Sequence, residues 1–234
     1  MYFEHTPAVW AAFPTLVPGI LLVDGIQPDG DSSARLRPLF ARARSRLAGV
    51  TEADLPEIQA WRRAFSQMGL KPTQYRSAAE ALLRRFRKED SVPTLHPLVD
   101  LCNAVSLAYA LPVAVIDLDQ VEGFMQVRYA DGDETYHAFS GEVERPDPGE
   151  VIFADGARQV HARRWTFRQS KHSTVSDTTR RALIVSEGLH ASAAADVVAL
   201  LDRLEVELRG AGFTPSRRAI LTAQAPRWED VSTP

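Results

Sequence analysis

Two short stretches hold most of the side chains that could do chemistry. Residues 163–172, R-R-W-T-F-R-Q-S-K-H, place Arg163, Arg164, Arg168 and Lys171 beside Gln169, with Trp165 and Phe167 between them. Read as a strand, the segment sends Arg164, Thr166 and Arg168 to one face and Trp165 and Phe167 to the other. Guanidinium forks suit phosphate or carboxylate groups, and an aromatic ring can stack on a base. An exposed polar strand face has the same pattern. The second stretch, K-P-T-Q-Y-R at 71–76, is a Pro-set turn presenting Lys71, Tyr75 and Arg76. Loops held between rigid elements often carry function.

Cys102 and Asn103 stand together in an apolar run, with Leu98, Val99, Val105 and Leu107 around them. No His lies one helical turn from Cys102 to draw off its proton, so the thiol reads as a small core hydrophobe. Asn103 needs partners for its amide if buried. D-L-D-Q-V-E at 117–122 is no calcium loop, because Glu122 stands where glycine is required. The six His, at 5, 96, 137, 161, 172 and 190, have no helical ligand spacing, and no phosphate loop, dinucleotide fingerprint or nucleophile elbow is present. No metal and no cofactor is expected.

The elements that must position these groups are legible from period. Thr51 caps a helix in which Leu55, Ile58, Trp61, Phe65 and Met68 recur, stopped by Gly69. S-A-A-E at 77–80 is a capping box opening a second helix, which turns Arg84, Arg85, Arg87 and Lys88 outward. A third spans about Pro97 to Tyr109, and a last one runs from Ser192 to Leu208, ended by Gly210. Between them the period becomes two. F-M-Q-V-R-Y-A, D-G-D-E, T-Y-H-A-F reads as one hairpin, and E-V-I-F-A-D-G-A-R-Q-V-H-A-R-R-W as another. R-A-L-I-V-S-E is a strand short and apolar enough to be buried on both faces. The expected fold class is α+β, a mostly antiparallel sheet with helices packed on it. Residues 211–234, rich in Pro and Arg without periodicity, read as an irregular tail.

The chain has 234 residues, 27 Lys plus Arg against 30 Asp plus Glu, and one Cys. Such a length buries a full core without a disulfide. No apolar run approaches the roughly 20 residues of a membrane span, and M-Y-F-E-H-T-P is no signal peptide, so a cytoplasmic protein with no membrane partner is expected. The net charge of −3 hides an uneven distribution. Residues 35–90 hold 13 basic against six acidic groups, 117–155 hold 11 acidic against two basic, and 156–181 hold seven basic against Asp177 alone. Solvated faces would explain this, and so would an electropositive surface for a phosphate-bearing partner.

The ordered motifs P-L-V-D-L-C-N-A-V-S-L-A-Y-A-L-P-V-A-V-I-D-L-D-Q-V-E-G, M-Q-V-R-Y-A-D-G-D-E, G-E-V-I-F-A-D-G and T-V-S-D-T-T-R-R-A-L-I-V-S-E resemble the B3/B4 domain, the editing domain of the bacterial phenylalanyl-tRNA synthetase beta subunit. The likeness covers about residues 70–190 and is closest to freestanding members without a synthetase core. It implies one B3/B4-like domain over 1–234, with extensions packed at both ends. It also implies a pocket between the helix bearing Asn103 and the sheet, which receives the aminoacylated 3' end of a tRNA. The family's Thr-Asn pair falls on Cys102 and Asn103, its pocket His on Ala114, and its pocket Glu nearest Lys171. The implied substrate set is Cys102, Asn103, Ala114, Glu122, Arg164, Trp165, Arg168, Gln169 and Lys171, with Asn103 and Lys171 as catalytic candidates. The implied tRNA contacts are Lys71, Tyr75, Arg76, Arg84, Arg85 and Arg163. The activity implied is deacylation of a mischarged tRNA in trans. A module that only binds an amino acid or tRNA, and an aminoacyl transferase with Cys102 as carrier, stay open beside it.

Overall fold

The computed structural model describes residues 1–27 and 32–230. In chain order its elements are β1 (Tyr2–His5), α1 (Pro7–Ala12), β2 (Val17–Asp24), α2 (Ser33–Arg46), α3 (Pro56–Gln67), α4 (Ala78–Glu89), α5 (Pro97–Tyr109), β3 (Val113–Asp117), β4 (Phe124–Tyr129), β5 (Thr135–His137), β6 (Val143–Glu144), β7 (Val151–Asp155), β8 (Gln159–Arg163), β9 (Arg168–Gln169), β10 (Arg181–Gly188), α6 (Ala193–Gly210), β11 (Thr214–Ile220) and β12 (Arg227–Glu229). One sheet has the order β12-β1-β4-β7-β8-β5-β6, with β9 on β8; the other runs β11-β2-β10-β3. Among the described residues only the β1–β4 and β5–β8 pairs are parallel. The fold is therefore α+β with mainly antiparallel sheets, as the pattern of periods implies.

Alternation across the smaller sheet builds two cores at once. Ile20 and Leu22 of β2 and Leu183 and Val185 of β10 pack with Trp61 and Phe65 of α3 and with Phe3, Met125 and Phe153 of the larger sheet. Leu21, Val23, Ala182 and Ile184 face the other way, onto α2, α5 and α6 through Leu39, Leu101, Val105, Leu200 and Leu204. This explains why V-P-G-I-L-L-V-D and R-A-L-I-V-S-E are nearly continuous apolar runs. Gly19 marks where the sheet meets α6 most closely: a Cβ there would stand 2.5 Å from Val197 Cγ1 and 3.0 Å from Leu201 Cδ1, both buried. Gly19→Ala is expected to cost about 1–3 kcal/mol by overpacking, read as a lower thermal midpoint.

Local expectations hold in part. Thr51 is placed differently: its N–H and hydroxyl both donate to Asp54 Oδ2 in a short turn at 52–54, while α3 itself opens at Pro56 with Leu55 as its N-cap, and Gly69 takes φ +76° beyond it. Ser77 accepts from Glu80 N at the start of α4, but the Glu80 carboxylate does not return the bond. It is buried and forked by the Arg62 guanidinium at 2.6 and 3.2 Å, a stronger charged partner than a backbone amide. α5 spans Pro97–Tyr109 as its starting Pro implies. Gly210 is the last residue of α6 rather than its stop, and Gly212, at φ +88°, takes the left-handed position beyond it.

The expected hairpin of 124–139 does not form. β4 pairs with β1 and β7, while β5 pairs with β6 and β8, so two strands separate them. The D-G-D-E turn is closed instead by Glu134. Its buried carboxylate accepts from Asp131 N, Gly132 N and Arg128 Nη1, which fixes a loop too tightly for a two-residue turn. Burial pushes the Glu134 pKa up, yet those donors outweigh it and hold it at about 2, against an ordinary 4.5. A carboxyl depressed on folding stabilises above its unfolded pKa and loses that contribution as pH falls through the folded one. The thermal midpoint should therefore drop from about pH 4.5 toward pH 2, with a shallower drop in Glu134→Gln.

The hairpin of β7 and β8 does form. Gly156 serves it by close approach, because a Cβ would lie 2.9 Å from the Glu122 carbonyl oxygen, while Arg158 takes the positive φ of 62°. The irregular tail is also corrected. Residues 214–220 are β11, on the edge of the smaller sheet against β2, where Pro215 costs no interior ladder bond, and 227–229 are β12 against β1. Residues 231–234 lie outside the described residues. Among those described, no helix is long and apolar enough to cross a membrane.

Candidate functional site

The segment 163–169 is not a strand with alternating faces. β8 stops at Arg163, whose buried guanidinium forks onto Glu150 at 2.9 and 2.8 Å and reaches Glu144 at 2.5 Å. Glu150 also accepts from Arg164 N, and Trp165 N donates to Val151 O at 2.7 Å. Held so, Arg164 and Trp165 adopt left-handed backbone, at φ 46° and 59°, a conformation rare for bulky residues. Its result is to drive the Trp165 ring fully inside, edge-on to Phe13 at 4.8 Å and to Trp61 at 5.0 Å. The chain then returns as β9 against β8, and Thr166 O anchors the N-terminus of α4 by accepting from Ala78 N.

This turn walls a small cleft with a cavity volume of ≈ 60 Å³. Pro112, Val113 and Ala114 at the start of β3 form one side, and Phe153, Ala162 and Val185 the apolar floor. Four polar side chains interrupt that lining: Thr166, Arg168, Gln169 and Glu187. Glu187, on β10, is 2% exposed. His5 Nε2 at 2.6 Å and the Trp165 indole N–H at 2.9 Å both meet its Oε1, while its Oε2 accepts no hydrogen bond from any described residue. The Thr166 hydroxyl is buried without a partner. Gln169 donates its amide to Val115 O at 2.6 Å, which leaves the side-chain carbonyl available. Arg168 is partly exposed, 3.7 Å from Glu144 and beside the Tyr136 ring. A mainly apolar cleft with a few convergent polar groups and a buried carboxylate is suited to a small organic ligand carrying a donor or positive charge.

Of the residues singled out in the sequence, Ala114, Trp165, Arg168 and Gln169 line this cleft. The others do not join them. Cys102 is 1% exposed in the core between α5 and the smaller sheet, where burial pushes its thiol far up from the ordinary value and works against a role as nucleophile or carrier. Asn103, half-buried on α5, is not part of the lining. Lys171 is exposed, and its backbone N donates to His137 O. Glu122 borders a separate polar recess with Asp119, Asp155 and His172. Arg164 lies over the Tyr75 ring at 4.8 Å and borders another recess with Asp147 and Glu150. A pocket against Asn103 is thus replaced by one between the 165–169 turn, the start of β3 and β10. Tyr75 reaches its rim by an edge contact with Phe167, at 5.3 Å, so the K-P-T-Q-Y-R loop does lie close.

Charge needs the larger correction. The basic run of 156–181 folds onto the acidic run of 117–155. Arg158 pairs with Asp131 and Asp133, Arg163 with Glu144 and Glu150, and Arg168 approaches Glu144. Arg163 is thereby buried and removed from any phosphate. In the first half, Arg76 lies 3.5 Å from Glu80, Arg84 3.6 Å from Glu52 and Arg85 2.8 Å from Glu89. Lys71, Lys88 and Lys171 make no ion pair with described residues. The 156–181 run is largely neutralised by the acidic run that the larger sheet brings beside it, whereas these arginines of 35–90 pair with acids of their own stretch and leave its excess of basic groups in place.

Sequence reasoning missed Glu187 and His5, and noted Thr166 only as a neighbour of Arg164 and Arg168 on a strand face. The available signal was a carboxylate closing an otherwise apolar strand, R-A-L-I-V-S-E, and a His beside the start of α1.

The sequence model described as the B3/4 domain matches residues 60–200. The phenylalanine–tRNA ligase beta subunit of Shewanella oneidensis is 26% identical over 115 residues, 49% of this chain; the match spans only 14% of that protein's length. Among solved structures, an N-terminal fragment of the phenylalanyl-tRNA synthetase beta-subunit from Pyrococcus horikoshii superposes with a TM-score of 0.47 and 10% identity, over 91% of this chain and 49% of that one. The B3/4 match runs from within α3 into α6 and contains every residue that lines the cleft, and the chain belongs to the B3/4 domain family.

Proposed function

We propose that the cleft receives the aminoacyl end of a charged tRNA and that the protein hydrolyses the ester in trans. The observation that carries this reading is the buried Glu187, with Oε2 unengaged at the base of an apolar cleft. A free carboxylate oxygen there is an acceptor for the ammonium group of an aminoacyl ester, and Val113, Ala114, Phe153 and Val185 offer its side chain an apolar wall. The unpartnered Thr166 hydroxyl is buried in the cleft wall and, once its side chain rotates outward, is a donor for the ester carbonyl as it becomes an oxyanion. Arg168, near the mouth, suits the terminal phosphate. Water adds to the carbonyl, the bond to the ribose oxygen breaks, and that oxygen leaves with a proton. The name of the Shewanella relative adds support by linking this kind of domain to a tRNA ligase.

The partly neutralised surface bears on affinity. With most arginines engaged internally, unpaired cations such as Lys71 and Lys88 supply the phosphate contacts, so the salt dependence of binding should be shallow for a tRNA partner. The test is single-turnover deacylation across a panel of correctly and wrongly charged tRNAs. Release above the uncatalysed rate for at least one supports the proposal. Protection from thermal unfolding by an aminoacyl analogue with no release for any member would make the protein a binding module instead.

A further inference from the structure

Away from the cleft, Glu57 in the first turn of α3, His190 after β10 and Asp196 in the first turn of α6 each offer a ligand atom within 4.8 Å of the others. They come from positions 133 or more residues apart in the chain for Glu57 against the other two, so the fold itself assembles them. Each has one atom committed and one idle. Glu57 Oε1 accepts from Arg46 Nη2 at 2.6 Å, whereas its Oε2 is buried without a partner. His190 Nε2 meets Asp196 Oδ2 at 2.8 Å, whereas its Nδ1 is buried without a partner. The Ser192 hydroxyl joins His190 on Asp196 Oδ2, which leaves Oδ1 without a hydrogen bond from described residues. Glu57 and His190 are each only 5% exposed. The unpaired, buried Glu57 Oε2 costs free energy that a bound cation would recover.

We propose that Glu57, His190 and Asp196 form a binding site for a divalent transition-metal ion, with Zn²⁺ as its test probe. One imidazole and two carboxylates are a common Zn²⁺ donor set, with a fourth position left for water. An ion held by both His190 and Asp196 takes Nε2, the ring nitrogen that faces the carboxylate, so it replaces the Nε2–Asp196 hydrogen bond and the Nε2 proton leaves to solvent, while Arg46 on Glu57 and Ser192 on Asp196 remain as the surrounding shell. Two bonds of about 2.1 Å span at most about 4.2 Å, so the donors close by some tenths of an ångström on loading. The two carboxylates outnumber the one guanidinium, which leaves the cluster attractive to a cation.

The site would brace the cleft it does not touch. His190 follows Glu187 by three residues, and Trp61, one turn after Glu57 on α3, packs on Trp165. The ion therefore ties together two elements that hold the cleft's buried wall.

Equilibrium dialysis of the intact chain against ZnCl₂, with metal content measured per chain, tests this independently of any hydrolytic activity. The expected result is one Zn²⁺ per chain and a raised thermal midpoint, with affinity lowered at least tenfold in Glu57→Gln and in His190→Ala. His172→Ala, in the stacked pair with His137, should leave uptake unchanged. Should His190→Ala fail to fold, Glu57→Gln and Asp196→Asn retain shape and carry the test. No stoichiometric uptake by the wild type, or equal uptake by the Glu57 and Asp196 variants, overturns the site.

Discussion

Trp165→Ala is expected to lower stability by about 3–5 kcal/mol and to abolish ligand binding in the cleft. The ring is 0% exposed and lies between Phe13 and Trp61, so its removal opens a cavity where three aromatics meet. The cost does not stop at packing. Trp165 N–H is one of two donors to Glu187 Oε1, and without it a buried carboxylate keeps only His5. The left-handed φ of 59° is maintained because burying the indole outweighs backbone strain; alanine at that φ has the strain without the compensation. Urea titration gives the first effect, and loss of protection by an aminoacyl analogue gives the second. Trp165→Phe separates them. It keeps most of the packing and removes the N–H, so it should cost about 1–3 kcal/mol and chiefly alter the cleft.

Arg163→Ala should be as damaging, by about 3–5 kcal/mol, although Arg163 does not line the cleft. Its guanidinium satisfies Glu150, whose side chain is 5% exposed, and reaches Glu144 as well. Without the fork, Glu150 keeps a negative charge inside with only the Arg164 amide and a guanidinium 3.7 Å away. Glu150 is also what turns the chain at Arg164, so the cleft wall should loosen with it. Arg163→Lys keeps the charge but cannot make two parallel bonds, and should recover only part of the loss. Chemical denaturation of the three proteins checks the order wild type, Arg163→Lys, Arg163→Ala.

How far the sequence could be read depended on how local each signal was. α5 was legible to the residue because Pro97 starts it and the apolar period runs unbroken. β10 was legible because R-A-L-I-V-S-E can only be a strand buried on two faces. β2 is an equally buried run that local signals hide, because Pro14 precedes it and Pro18 is its second residue. Pairing is a different matter. The Gly132 turn signal is genuine, with φ +102°, yet whether β4 and β5 then pair depends on β7 and β8, which lie later in the chain. The same non-locality governs charge. Arg158, Arg163 and Arg168 read as free cations until β8 and β9 set them against Asp131, Glu144 and Glu150. For the site, Trp165, Arg168 and Gln169 were found by residue type, whereas their arrangement came from two left-handed residues that no alternation rule anticipates. Glu187 was hidden as the polar end of a strand, since only the fold puts His5 and Trp165 against it.

The most direct measurement is single-turnover deacylation by wild type and Glu187→Gln, with thermal midpoints recorded on the same samples. Glutamine can keep a carbonyl oxygen where Oε1 accepts from Trp165 and His5, so the fold should persist with a small shift in midpoint. The negative charge at Oε2 is lost, and a hydrogen bond to a charged group contributes about 1.5–3 kcal/mol, or roughly 10–150-fold in rate or affinity. The expected result is a wild type that hydrolyses at least one mischarged tRNA and a folded Glu187→Gln slower on that substrate by that factor. Equal rates for the two proteins would contradict the assignment of this cleft.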